Sequence, residues 1–335
     1  MKAKVFDDIY FALSIQKHQL DTYTIILRTS ENNKMRALPK LVLLALLTVW
    51  IVWGSTYFAI AVALPAFPPF LLMGTRFLAA GALLYAWQKW RGAPNPTLRQ
   101  WRDAAIVGVL LLGGGMGLTA VAQQYISSGM TAVFIACSPL ILALMVGLYG
   151  EWPAAREWGG IAVGFVGALL LASGGEFSAQ PIGAIALLGA ISAWNFGSVL
   201  SQKKLSLAPG AMGFASEMLA GGVFLIGMAL AQGESFGPMT GKALFAWSYL
   251  VVAGSLAAFT AYMYLLTKVS PGLVSSYAYV NPVIAVILGV AFAGETVGTR
   301  EIVAMAIILG SVILLTTAKK PLPRSATEPN CETAV

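Results

Sequence analysis

The second half of this chain repeats the first at a nearly constant offset, and that duplication constrains the fold more than any other feature. Gly54-Ser55 returns as Gly197-Ser198, Ser127-x-Gly129 as Ser270-x-Gly272, and Ser138-Pro139 as Asn281-Pro282, each pair 143 positions apart. Gly150-Glu151 returns as Gly294-Glu295 and Arg156-Glu157 as Arg300-Glu301, at 144, so one residue was inserted. Each copy holds five apolar runs long enough to cross a bilayer. An odd number sends the second copy into the membrane from the opposite face. The expected architecture is therefore an all-α integral membrane protein of ten transmembrane helices, built as two inverted five-helix repeats.

A hydrocarbon core of roughly 30 Å needs about 20 apolar residues per helix. On that ruler the first repeat, 41–174, carries spans near 41–63, 68–89, 103–125, 129–149 and 157–174. The second, 182–317, carries spans near 182–202, 211–231, 244–266, 271–293 and 299–317. Only 10% of residues are charged, against roughly a quarter in a soluble domain. Cys137 and Cys331 are the two cysteines and His18 the one histidine. No disulfide framework, cysteine metal site or cofactor motif follows from them. The net charge of +7 does not indicate nucleic acid, because the basic residues sit at the ends of apolar runs, where they meet lipid head groups. Lys34 to Lys40, Lys89 to Arg102, Arg156, Lys203, Lys204, Lys268 and the tail from Lys319 fall on one side, and Lys242 and Arg300 on the other. That bias places both termini in the cytoplasm.

Residues 1–40 form a polar leader whose one apolar patch, near Thr22–Leu27, is too short to span. Met35-Arg36-Ala37-Leu38-Pro39-Lys40 reads as the opening of a polytopic protein, so translation is expected to start at Met35, with the leader disordered or untranslated. The tail, 318–335, is expected to be disordered in the cytoplasm.

Two five-helix halves, with an aromatic-Gly-Ser motif in the first helix of each and Ser/Asn-Pro in the fourth, resemble the drug/metabolite transporter superfamily and its EamA branch. Trp53-Gly54-Ser55-Thr56-Tyr57-Phe58, Arg76-Phe77-Leu78-Ala79-Ala80-Gly81 and Ser276-Tyr277-Ala278-Tyr279-Val280-Asn281-Pro282 are closer still to the YedA-type inner-membrane transporters. The resemblance covers roughly 41–318. It implies export of small metabolites, often amino acids or their derivatives, across the bacterial inner membrane, and supplies no individual substrate.

Two formal charges fall well inside expected spans, Arg76 and Glu217. A charge at membrane depth costs about 2.5–3.5 kcal/mol on insertion scales, so such residues usually face a cavity and mark a pathway. Leu78-Ala79 and Gly81 match Leu219-Ala220 and Gly222 at an offset of 141, which makes Arg76 and Glu217 equivalent positions. Approaching from opposite faces, they lie either side of the midplane. Arg76 is then a candidate contact for a substrate carboxylate and Glu217 a candidate proton or amine site. The competing reading makes both structural, paired with backbone carbonyls.

Pro139 and Pro282 sit at matching mid-helix positions and free the carbonyls of Ile135 and Ala278. Ser138 and Asn281 beside them can bond those carbonyls or a substrate, and the prolines serve as hinges or as static kinks. Trp50, Trp53 and Tyr57 share one helical face. With Trp194 and Phe196 they place aromatic rings near the paired motifs Gly54-Ser55 and Gly197-Ser198. Such a wall holds an apolar or cationic ligand, or simply packs. Tyr277 can share a face with Ser276 and Asn281. Gly113-Gly114-Gly115 and Gly160 to Gly167 lack the lysine of a phosphate loop and read as helix packing. Gly150-Glu151 and Gly294-Glu295 read as helix ends rather than site groups.

A secondary transporter moving a small molecule fits these features best. No GxxxxGK[ST] motif supplies an internal ATPase. A membrane-embedded enzyme would want paired acids, Ser/His or HExxH within the spans. A channel would more often assemble rings from several subunits. An accessory membrane subunit is the third alternative. The scarcity of intramembrane charge favours a zwitterionic, amphipathic or weakly charged substrate.

Overall fold

The computed structural model describes residues 39–147, 152, 155–173, 180–266, 268–269, 271–274 and 276–317. Residues 1–38 of the leader, the tail and Gly150-Glu151 lie outside them, and Lys40 opens the first helix. The chain divides into two units, Met1–Leu43 and Leu44–Val335, and the helical bundle is formed by the second. Among the described residues the secondary structure is helical, with no strand. The helices are α1 (Lys40–Ala63), α2 (Pro69–Trp90), α3 (Leu98–Ala122), α4 (Ser128–Ile135), α5 (Ser138–Gly147), α6 (Ala155–Ala172) and α7 (Pro181–Lys203). They continue as α8 (Ala211–Ala231), α9 (Gly241–Leu265), α10 (Pro271–Val274), α11 (Tyr277–Phe292) and α12 (Thr299–Thr317). Seven helical stretches are long and apolar enough to cross a membrane, one of them Ser128–Met145 spanning α4 and α5, and two shorter apolar helices add Glu157–Ala172 and Tyr277–Phe292.

Local chemistry sets the helix ends. Pro69 and Pro181 open α2 and α7, where a missing amide hydrogen costs nothing. Thr97 and Gln100 form a reciprocal capping box on α3. Gly92 and Gly233, at φ 81° and 68°, turn the chain out of α2 and α8. The same bond closes both turns: Ala93 N–H donates to Gln88 O, and Glu234 N–H to Ala229 O, each at 2.9 Å.

The two prolines do not play matching local roles. Pro139 is the second residue of α5, after a break at Ala136 and Cys137, rather than a mid-helix kink. Starting a helix there leaves no preceding turn for the ring to disrupt. Pro282 lies inside α11, and the break on that side comes earlier, between α10 and α11.

Three stretches wind as π-helix: Val49–Trp53 in α1, Val109–Gly117 in α3 and Leu250–Ala257 in α9. The last two begin at Val109 and Leu250, at the offset that also relates Gly81 to Gly222. Such turns frequently mark functional sites.

Glycine contacts set the register of the bundle. A Cβ on Gly74 would meet Ile226 at 2.7 Å, one on Gly222 would meet Leu78 at 2.8 Å, and one on Gly81 would meet Met218 at 2.9 Å. The numbers rise on α2 as they fall on α8, so the two helices run antiparallel. α6 and α12 do the same, Gly164 lying on Ser311 and Gly167 on Ile307. α3 and α7 are likewise antiparallel, Gly114 meeting Ala193 and Gly189 meeting Leu118. By contrast α1 and α11 run parallel: Gly54 lies against Ile284, and Phe58 packs on Phe292 with ring centroids 6.2 Å apart. One end of the bundle therefore gathers the turns at 64–68, 123–127, 232–240 and 293–298. The other gathers the basic stretch from Lys89 to Arg102 and Lys204.

Glycines bring the backbones of α3 and α8 into close approach. A Cβ on Gly108 would lie 2.5 Å from Glu217 O, and one on Gly221 would lie 2.8 Å from Gly108 O. Backbone faces backbone, so neither side yields by changing a rotamer. Gly108→Ala is expected to lower thermal stability in detergent by about 1–3 kcal/mol or more. Gly227→Ala, which meets nothing within 4 Å, is expected to leave it unchanged.

Candidate functional site

The buried cation of α2 lies against the π-helical turn of α9. Arg76 is 3% exposed. Its Nε donates to Ser255 Oγ at 2.9 Å, Nη1 meets Met73 Sδ at 3.8 Å, and the guanidinium lies 4.9 Å from the centre of the Phe77 ring. Ser255 Oγ donates in turn to Leu250 O at 3.0 Å, five residues back. A side chain at position 254 would crowd this arrangement, because a Cβ there would lie 3.2 Å from Arg76 Nη2. Among the described residues no carboxylate pairs with Arg76. Burial has stripped this guanidinium of water without giving it a counter-charge.

An aromatic wall adjoins it. Trp53 Nε1 donates to Gly254 O at 3.2 Å, the residue beside Ser255. The Trp53 ring lies 5.2 Å from Tyr262 and 5.1 Å, edge-on, from Tyr277. Tyr262 and Tyr277 meet edge to face at 6.0 Å. These are favourable geometries for aromatic pairs, and the three rings are half-buried. One bond step separates the cation's acceptor from the indole, so charge and apolar surface form one constellation.

The rest of the α1–α11 contact completes it. Trp50 Nε1 donates to Ser276 Oγ at 2.9 Å. With its amide turned so that nitrogen faces the carbonyls, Asn281 donates to Trp50 O at 3.1 Å and Tyr277 O at 3.2 Å. The Ala278 carbonyl freed by Pro282 is thus not the one Asn281 takes. Ser55 Oγ shares a hydrogen bond of 2.7 Å with the Tyr249 hydroxyl. Gly54 admits α11 to α1, since a Cβ there would lie 2.9 Å from Ile284 Cβ and 3.2 Å from Asn281 O. Arg76, Trp50, Trp53, Gly54, Ser55, Tyr277, Asn281 and Pro282 are therefore brought together by α1, α2, α9 and α11.

The other candidates lie elsewhere. Ser138, at the start of α5, takes a bond of 2.9 Å from Asn195 Nδ2 on α7, and Pro139 follows it. Trp194 is half-exposed and covers Gly115. Ser198 Oγ donates to Trp194 O within the same helix. Gly197 packs against Leu110 and Leu111. Glu217 is 5% exposed, and its carboxylate has no hydrogen bond or ion pair among the described residues. From the α2–α8 register Arg76 and Glu217 are offset by seven residues, or ~10 Å along the axes. They make no ion pair with each other.

Ser255, Tyr262 and Asn195 carry much of this geometry and do not stand out in the sequence. Ser255 sits in the apolar run Leu250–Ala257, where the Gly254-Ser255 pair is its one signal. Glu295, expected only to end a helix, and Glu234 cap other helices across the bundle. Glu234 accepts from Phe70 N and Leu71 N at the start of α2, at 3.2 and 2.8 Å. Glu295 accepts from Ser128 N and Oγ and from Gly129 N at the start of α4, at 2.7, 2.6 and 3.0 Å.

Two stretches of the chain, residues 40–173 and 181–317, match the EamA-like transporter family. The chain is 43% identical over 281 residues to the "uncharacterized inner membrane transporter YedA" of Escherichia coli K12, covering 83% of this chain and 92% of that one. It is 26% identical over 269 residues to the protein PecM of Dickeya dadantii, covering 79% and 88%. A WAT1-related chloroplastic protein of Arabidopsis thaliana is 26% identical over 283 residues, covering 81% and 68%. A solved crystal structure superposes with a TM-score of 0.60 at 22% identity, covering 82% of this chain and 97% of that one. That last likeness speaks for the fold alone.

Proposed function

The chain belongs to the EamA-like transporter family, and from that premise we propose that it is a secondary carrier exporting small carboxylate-bearing metabolites by alternating access. The observation that carries the substrate class is Arg76, a buried cation with no counter-charge among the described residues, beside Trp53, Tyr262 and Tyr277. A desolvated guanidinium binds a carboxylate through two parallel bonds, and the aromatic wall takes an apolar or cationic remainder. An amino-acid-like or other amphipathic compound satisfies both.

Ten helices in two inverted repeats are the scaffold of this reading. What supports inversion is that equivalent helices run antiparallel: α2 against α8 and α6 against α12. Parallel copies would be related by an axis along the membrane normal, and their equivalent helices would run the same way. The concentration of basic residues at one end supports cytoplasmic termini in the inner membrane. Glu217, equivalent to Arg76 in the other copy, serves as the proton site of a coupled carrier. Its carboxyl group can change charge at a place where no partner charge competes.

Counterflow in proteoliposomes tests the proposal. Liposomes loaded with an unlabelled amphipathic carboxylate are expected to accumulate its labelled form transiently and saturably. Flux that does not saturate, or that shows no overshoot, would fit a channel and remove the carrier mechanism.

A further inference from the structure

Two carboxylates at one end of the bundle share one geometry. Each follows a glycine of positive φ that ends a helix of the second repeat, Gly233 before Glu234 and Gly294 before Glu295. Each reaches a helix start in the first repeat, and its two oxygens take N–H groups of successive residues, Phe70 and Leu71 or Ser128 and Gly129. A third tie lies beside them, Gly237 N–H donating to Ala66 O at 2.9 Å. The antiparallel register of α2 and α8 and the parallel register of α1 and α11 put all three at the same end.

The opposite end has the same backbone without carboxylates at the matching positions. The carboxylate that joins the repeats there is Asp103, near the start of α3, which accepts from Ser206 N–H at 2.9 Å and pairs with Arg102. The turn after α2 matches the turn after α8 bond for bond, yet Ala93 stands where Glu234 stands. No side chain caps the N-terminus of α8. The position equivalent to Ser128 is Pro271, which has no amide hydrogen to donate. At these matched turns and helix starts the two ends are thus unequal by residue type.

We propose that Glu234 and Glu295 are the gate latch of the carrier: they close their end of the bundle by holding the starts of α2 and α4, and each transport cycle releases them. This rests on the alternating-access reading above. Both carboxylates are half-buried, so water replaces the lost amide donors on release. Glu234 and Glu295 are positioning residues; they set which end is open without touching substrate.

Single-cysteine reporters in a Cys137→Ser, Cys331→Ser chain test the latch in detergent. Thr131→Cys, one turn inside α4, reports the latched end. Ser216→Cys, near the start of α8, reports the other. Both parent positions are fully buried. The double variant Glu234→Gln, Glu295→Gln is expected to speed alkylation at position 131 by about tenfold and to slow it at 216. Ala93→Glu, which places a carboxylate on the matching turn, is expected to shift 216 towards protection and 131 towards exposure. It leaves both native carboxylates in place, so it carries the test alone if the double variant does not fold. Unchanged rates, or faster labelling at both ends, would overturn the latch. Saturable counterflow persisting alongside unchanged rates would sink the latch and spare the carrier; a reciprocal shift in a protein without counterflow would do the reverse.

Discussion

Arg76→Gln is expected to raise the half-saturating concentration of a carboxylate substrate by about 10- to 100-fold while leaving thermal stability unchanged or higher. The two halves of that expectation have different causes. A hydrogen bond to a charged group contributes about 1.5–3 kcal/mol, and each 1.4 kcal/mol is about a factor of ten in affinity. Stability behaves differently because Arg76 has no ionic partner to leave stranded among the described residues. What the substitution removes is the bond to Ser255 Oγ, the contacts with Met73 Sδ and the Phe77 ring, and a buried unpaired charge whose desolvation opposed folding. A structural role would give the opposite pattern, with stability falling and affinity intact once the protein is inserted. Parallel measurements of thermal unfolding and concentration-dependent counterflow on the same preparation discriminate the two.

Glu217→Gln is expected to preserve folding and to abolish proton-driven accumulation. Glutamine keeps the shape but carries no titrating proton. The close approach to Gly108 is made by the Glu217 backbone carbonyl, which the substitution leaves in place, and no bond to its carboxylate is lost among the described residues. Counterflow, which needs no net proton movement, should continue at a comparable rate. Uphill transport under an imposed pH gradient should fall by at least about tenfold, a loss of ~1.4 kcal/mol in driving force. Undiminished uphill transport in the correctly inserted variant removes Glu217 as the coupling group.

What is legible in the sequence and what is not divide along physical lines. Helix positions follow from apolar length, so 68–89 and 211–231 lie within a residue or two of α2 and α8. The Arg76–Glu217 register comes from small residues that also set the α2–α8 contact. Winding is invisible, because π and α turns draw on the same apolar residues, as in Leu250–Ala257. That conceals Ser255, whose role depends on the widened turn. The break at Ala136 and Cys137 stays hidden too, since proline marks a disruption without saying whether it bends a helix or begins one. Grouping by motif also misleads: Trp194 and Ser198 repeat Ile51 and Ser55 in register, yet they face α3 and their own helix rather than Arg76. Long-range caps such as Glu234 on α2 join residues 163 and 164 positions apart, beyond any local pattern.

The π-helical turns also put the chain's history in order. Those in α3 and α9 begin at matching positions, Val109 and Leu250, so the simplest descent has that winding present in a single ancestral half before its gene doubled. The turn in α1 has no counterpart in α7, which is α-helical throughout; the two copies parted there after the doubling. Ala93 and Glu234 diverged later than the shared turn that carries them. A homologue descended from the undoubled ancestor is therefore expected to keep the α3-type winding.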